Sequence, residues 1–335
     1  MNIVRNVILF TCLVLIMASC KQQGDVTIGF LIPASEGFRW PIDQGYVEQA
    51  ASNLNAKVIT VSAENDENLQ IRQAEDLLEQ GVDVLIVVPA NSNTSAAIVR
   101  AAHQKNVPVI AYDRLIRNSD LDYIVTFDGH EIGETMVEHA VREVPKGNYV
   151  LLYGDASDVN ALLIREAQES FLQPYIDRGD INIVFKGYCD NWAGENAYYN
   201  MKKVLDFSDL NIDAIITSYD GLAMGALRAV NETSNQKLTV LTGQDAEIDA
   251  VRAVARDNMS LTVYKSISEI ANASVGLAVD LAKGNEVRGI DAVINNGRKD
   301  IPALMLHPVA VTKNNIRSTV VADGFLSEEA IYGDD

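Results

Sequence analysis

The feature that most constrains this chain is a series of uninterrupted aliphatic runs separated by segments of helical length. Residues 26–32, 57–61, 82–89 and 107–112 are rich in Val, Ile and Leu with no polar alternation. A strand apolar at both parities must be covered on both faces, which calls for a parallel sheet with helices on either side. Helical patterns occupy about 40–55, 66–80 and 93–105, between those runs. The alternation then restarts. Residues 148–153 read as a strand, a long helical stretch extends to about 178, and strands follow at 181–185, 213–217, 238–242 and 259–264. Two successive rounds of α/β units predict two similar lobes, with a boundary near 125–132.

The N-terminus reads differently. Arg5 is the only charge before Cys20, and residues 7–17 form an apolar run too short to span a bilayer. The run ends Met17-Ala18-Ser19-Cys20. Small residues before a Cys match a bacterial lipobox, so residues 1–19 are expected to be a signal peptide of lipoprotein type. Cys20 is then the lipidated first residue, and 20–25 are a polar tether. No later segment is apolar enough to cross a membrane, which places the chain in the periplasm or cell envelope, held by lipid. Of three cysteines, Cys12 goes with the signal and Cys20 carries lipid. Cys189 is left alone and no internal disulfide can form. Stability must come from a core, and roughly 315 residues suffice for a two-domain one.

Several functions are excluded. A formal net charge of −19 opposes nucleic-acid binding, which rests on basic patches, and opposes attachment to anionic membranes by anything but lipid. Phosphate-binding glycine loops, the nucleophile-elbow pattern and the His-Glu-x-x-His zinc motif are absent. His103, His130, His139 and His307 are scattered. Cys189 reads as a buried, inert thiol. Residues 64–68 are Asp/Asn-rich but lack the glycine and terminal glutamate of a calcium loop; they read as a polar loop opening the next helix. No enzyme, cofactor or metal is expected.

In open parallel sheets ligands sit beyond the carboxyl ends of the strands. The residues there are 35–40, Pro89-Ala90-Asn91, Asp113-Arg114, 154–160, Asp190-Asn191-Trp192, Tyr219-Asp220, Gln244-Asp245 and Lys265. Carboxylates, amides and cations direct hydrogen bonds to hydroxyls, and charge-assisted bonds are roughly twice as strong as neutral ones. The two tryptophans, Trp40 and Trp192, fall one in each round of the alternation, and indole offers a flat apolar face to the C–H side of a pyranose. The set is what a carbohydrate site needs.

With these residues in place, the chain resembles the periplasmic binding proteins of sugar ABC importers, ribose/galactose type, and among them the D-xylose-binding members. The resemblance runs from about residue 26 to the end. It is carried by 81–89, Ala111-Tyr112-Asp113-Arg114, Gly243-Gln244-Asp245-Ala246, Leu261-Thr262-Val263-Tyr264-Lys265, Asn295-Asn296-Gly297 and Thr312-Lys313-Asn314-Asn315. It implies two doubly wound parallel-sheet lobes joined by a three-crossover hinge, with crossings near 127, 265 and 295. One lobe would comprise 26–127 plus 266–294, the other 128–265 plus 295–325. It implies a monosaccharide ligand held by Arg39, Trp40, Asp113, Arg114, Asn160, Trp192, Asn196, Asp220, Asp245 and Lys265. The partner would be an ABC permease, or alternatively a membrane kinase or chemoreceptor that reads occupancy, and the binding unit would be a monomer. Two positions depart from the D-xylose pattern: Val159 and Tyr219 each stand where that pattern has Asn. Both fall where the sugar should lie, so another pentose, a hexose or a cyclic polyol fits as well.

Overall fold

The computed structural model describes residues 25–35, 39–207, 210–233 and 238–333. The expected signal peptide, Cys20 and nearly all of the tether lie outside the described residues.

Along the chain, β1 (Thr27–Ile32), α1 (Arg39–Asn53), β2 (Lys57–Ser62), α2 (Glu67–Glu79), β3 (Val84–Val87), α3 (Ala96–Gln104), β4 (Val109–Tyr112) and β5 (Tyr123–Phe127) form the first round. The second is α4 (Gly129–Glu143), β6 (Gly147–Tyr153), α5 (Val159–Asp177), β7 (Ile181–Tyr188), α6 (Gly194–Phe207), β8 (Ala214–Thr217), α7 (Asp220–Asn231), β9 (Val240–Gln244), α8 (Ile248–Ala255) and β10 (Leu261–Tyr264). The chain then returns through α9 (Ile267–Lys283), β11 (Ala292–Asn295), β12 (Asp300–Leu306), β13 (Val309–Val311) and α10 (Glu328–Tyr332). Among the described residues there are two sheets, ordered β11-β12-β5-β4-β3-β1-β2 and β13-β10-β9-β8-β6-β7.

The aliphatic runs behave as their composition requires. Every residue of β3, β4, β8 and β10 is buried, because helices cover both faces of the sheet interior. Each fully buried Val, Leu or Ile stabilises the fold by about 1.5–3 kcal/mol. The edge strand β2, by contrast, has no fully buried residue. The polar loop at 64–68 does open a helix: Asp66 accepts from the backbone N–H groups of Asn68 (2.8 Å) and Leu69 (3.1 Å), capping α2.

The chain passes between the sheets three times. After Phe127, Asp128 immediately caps α4, accepting from His130 N at 2.8 Å and Glu131 N at 3.2 Å. After Tyr264 it leaves β10 for α9, which packs on α1 of the first lobe. The third passage corrects the expected boundary. It does not fall near 295, because β12 pairs parallel with β5, Leu306 opposite Phe127, and so keeps 300–306 in the first sheet. Only after Leu306 does the chain cross to β13, which pairs antiparallel with β10. The first and third passages therefore run side by side, and Asp128 N donates to Leu306 O at 3.2 Å.

Candidate functional site

The carboxyl ends of both sheets face one cavity of about 470 Å³ between the lobes. Of the ten expected ligand residues, eight line it: Arg39, Trp40, Asp113 and Arg114 from the first lobe, and Asn160, Trp192, Asp245 and Lys265 from the second. The cavity is closed over by contacts between lobes. Asn160 Nδ2 donates to Asp113 O (3.1 Å), Ser92 Oγ donates to Ser157 O (3.3 Å), and Arg114 Nε lies 3.1 Å from Asp158.

At the centre is a ring of alternating charge. Arg39 bridges Asp113 (3.4 Å) and Asp245 (3.3 Å), and Lys265 Nζ bridges the same two carboxylates at 3.4 and 3.2 Å. Burial would raise the Asp113 carboxyl, but the Lys265 ammonium and the Arg39 and Arg114 guanidiniums outweigh it and hold the group well below the usual carboxylate range. Desolvating four unpaired charges would cost several kcal/mol each; alternation offsets most of that.

The backbone aims these groups. Asp113 and Asp245 have φ of 62° and 93°, a left-handed conformation that costs about 1–3 kcal/mol for a non-glycine residue and gathers at ligand clamps. Arg39 is held from below by Asp43, one helical turn on, which accepts from its Nε at 2.9 Å. Tyr112 OH, beside Asp113, donates to the same Asp43 at 2.5 Å. Asp43 is fully buried, and burial raises its carboxyl despite both partners. The sequence carries one signal for it, the four-residue spacing from Arg39 on a helix.

Both arginines also lie over the Trp40 indole, their guanidinium carbons 5.3 Å (Arg39) and 5.1 Å (Arg114) from the ring centre. Trp192 sits in a turn where it and Asn191 both have positive φ, 56° and 55°. Its Nε1 and the Gln244 Oε1 are buried with no partner among the described residues.

Two expected ligand residues stand elsewhere. Asn196 lies on α6, and its Nδ2 donates to Asp190 O (2.9 Å), bracing the turn that carries Trp192 without reaching the cavity. Asp220 is fully buried beneath the cavity floor. Its Oδ2 accepts from Thr262 Oγ1 (2.9 Å) and Glu247 N (2.8 Å), and burial drives its carboxyl well above the usual range. Asp220 follows a strand, but as the first residue of α7 it turns inward, where Tyr219 faces the cavity. Val159 and Tyr219, the two departures, both line the cavity. Glu247, which accepts from Tyr219 OH, carries no sequence signal, because only the fold brings it beneath Tyr219. Cys189 is buried and free, and burial pushes its thiol up to about 11.

Two lobes closing on a charged, aromatic cavity define a receptor that clamps a small polar ligand. The chain belongs to the periplasmic binding protein domain family, whose model matches residues 28–286. It is 36% identical to the D-xylose-binding periplasmic protein of Escherichia coli, over 98% of this chain and 99% of that one. A solved ABC transporter solute binding protein from Clostridium phytofermentans with bound β-D-glucose superposes with a TM-score of 0.86 at 25% identity, over 91% of this chain and 99% of that one. A solved carbohydrate transporter solute binding protein from Chloroflexus aurantiacus in complex with D-glucose gives 0.85 at 28%, over 91% of this chain and 98% of that one. The family is one of binding proteins, and the chain is a binding protein and not an enzyme.

Proposed function

We propose that this protein is the periplasmic receptor of an ABC sugar importer, that it clamps one monosaccharide between its lobes, and that a lipid on Cys20 tethers it to a membrane. The observation that carries the sugar reading is the four-charge ring. Asp113 and Asp245 accept from hydroxyls, Arg39 and Lys265 donate to them, and each carboxylate and cation keeps a counter-ion while it does so. A neutral polyhydroxylated ring suits this set better than a charged solute, since the ring is already balanced. Arg114 and Asn160 add donors at the lobe boundary, and Trp40 and Trp192 offer carbon faces to the C–H surface of a pyranose.

Support for import comes from likeness to the solved ABC transporter solute binding protein with bound β-D-glucose, and support for a sugar ligand from likeness over nearly the whole chain to the D-xylose-binding periplasmic protein. D-Xylose, a related pentose, a hexose or a cyclic polyol is the ligand class, and the binding unit is a monomer. The test is titration of the chain from residue 21 onward with pentoses, hexoses and polyols. Trp40 and Trp192 are the only tryptophans, so intrinsic fluorescence reports the cavity. One sugar should give a saturable change and a raised Tm, both lost in Asp113→Ala. A flat response across the panel with unchanged Tm would refute the sugar clamp. For the tether, the full chain expressed in bacteria should partition with membranes, and Cys20→Ser should release it; release without the substitution would remove the lipid anchor.

A further inference from the structure

We infer that Tyr219, seated against Trp192 and anchored by Glu247, is a specificity wall that selects sugars presenting C–H instead of hydroxyl to the second lobe, and so a pentopyranose over the corresponding hexopyranose. The inference rests on the sugar-clamp reading and narrows it.

The wall is built from the backbone up. The Tyr219 and Trp192 rings meet edge to face, centroids 6.1 Å apart at 89°, and both line the cavity. Each ring lies over a glycine. A Cβ on Gly154 would stand 2.2 Å from Trp192 ring carbons, and one on Gly221 would stand 2.5 Å from Tyr219 Cε1. Neither site can carry a side chain with the rings where they are. The polar end of Tyr219 is turned away and committed: its hydroxyl donates to Glu247, whose own backbone N–H is fixed on buried Asp220 (2.8 Å). The remaining polar atom of the pair, Trp192 Nε1, is buried and offers no surface to the cavity.

The cavity is therefore two-sided. Arg39, Asp113, Asp245 and Lys265 offer donors and acceptors for ring hydroxyls. The Tyr219 face offers carbon alone, where the D-xylose pattern has an amide. A hydroxyl pressed onto that face loses its water and gains no partner, and a site built on hydroxyl recognition rejects an unmatched polar group strongly. D-Xylose and D-glucose share the configuration of their ring hydroxyls and differ by one hydroxymethyl group, so they make the probe pair.

The experiment is calorimetric titration of D-xylose, D-glucose and myo-inositol into wild type, Tyr219→Asn, Glu247→Ala and Glu247→Gln, with folding checked by Tm. Wild type should bind D-xylose at least tenfold tighter than D-glucose. Tyr219→Asn, which restores an amide and opens space, should narrow that ratio at least tenfold. Glu247→Ala frees the phenol to turn inward and should narrow it in the same direction, while Glu247→Gln, which can still accept from Tyr219, should keep it. A purely structural role for Glu247 would lower both affinities and leave the ratio unmoved. Should Glu247→Ala not fold, Tyr219→Asn decides alone. The inference is overturned by equal or tighter D-glucose binding in wild type, by binding of myo-inositol only, or by one ratio common to wild type and Tyr219→Asn. Each of those outcomes leaves the sugar clamp standing. No binding of any sugar overturns the clamp itself and this inference with it.

Discussion

Asp113 and Asp245 occupy corresponding places in the two lobes and share the same two cations. Each directly follows a strand, each has positive φ, and each donates its backbone N–H to the neighbouring strand, to Val125 O at 2.8 Å and Val263 O at 2.9 Å. Arg39 comes from the first lobe and Lys265 from the second passage, and both touch both carboxylates. The ion pairs thus cross the cleft, and closure completes them.

Neutralising one member leaves two like charges facing a single counter-ion. Asp113→Asn is expected to weaken sugar binding about 100-fold, the loss of one or two charge-assisted hydrogen bonds, as read by calorimetry. Lys265→Met is expected to do similar damage, and the double variant less than the sum of the singles, since its members are in contact. Additive losses would show that the ring is not coupled.

The glycine beneath Trp192 gives a test of geometry. Gly154→Ala forces the indole to move, because the new Cβ would lie 2.2 Å from its ring. Overpacking of this kind costs about 1–3 kcal/mol, and here it should appear as a lowered Tm together with altered tryptophan fluorescence and weaker sugar binding. Gly45 in α1 is the control, since a Cβ added there would have nothing within 4 Å. Gly45→Ala should stabilise by about 0.5–1 kcal/mol and leave binding unchanged.

How much of this is legible in the sequence follows from which signals are local. The aliphatic runs predict most strands, since burial on both faces leaves a one-dimensional trace. Asp113, Asp245, Lys265 and both tryptophans can be picked out because the ends of parallel strands must face a ligand cleft. What stays hidden needs three dimensions. Strand β12 carries Pro302, which reads as a strand breaker, yet it sits parallel to β5 and moves the third passage beyond Leu306. Asn196 and Asp220 have the right residue types beside the right strands, but helix geometry turns them away from the cavity. Asp43 and Glu247 act from behind the residues that show, and only packing reveals them.

Burial raises the Glu247 carboxyl from the usual 4.5 to about 7, with Asp245 and Asp249 adding repulsion and the Tyr219 hydrogen bond opposing. The folded protein thus binds this proton more tightly than the unfolded chain. The associated stability is fully present below about 4.5 and is lost as pH rises through about 7. Asp113 acts in the opposite sense: its folded value is depressed, so its contribution is present above 3.8 and is lost on acidification. Wild type should therefore lose Tm relative to Glu247→Gln as pH is raised from about 5 to about 8. Parallel Tm curves for the two proteins across that range would contradict the assignment.

The second passage offers a kinetic prediction. Asp323 accepts from Tyr264 OH and from Ser266 Oγ (2.9 Å), the two residues that flank Lys265. Tyr264 also packs on Phe325, ring centres 5.0 Å apart. The C-terminal segment thereby clamps the strand end that delivers the Lys265 ammonium into the charge ring. Asp323 does not line the cavity between the lobes that holds the charge ring, so Asp323→Ala should act through the placement of Lys265 and the ease of opening. Most effects of this kind appear in release, not in capture. Stopped-flow fluorescence should show sugar dissociation about tenfold faster with an association rate within about twofold of wild type. The increment should vanish in a Lys265→Met background, because with no ammonium to position the clamp has nothing to deliver. If Asp323→Ala speeds release equally with and without Lys265, the C-terminal segment acts on the hinge as a whole and not through that side chain.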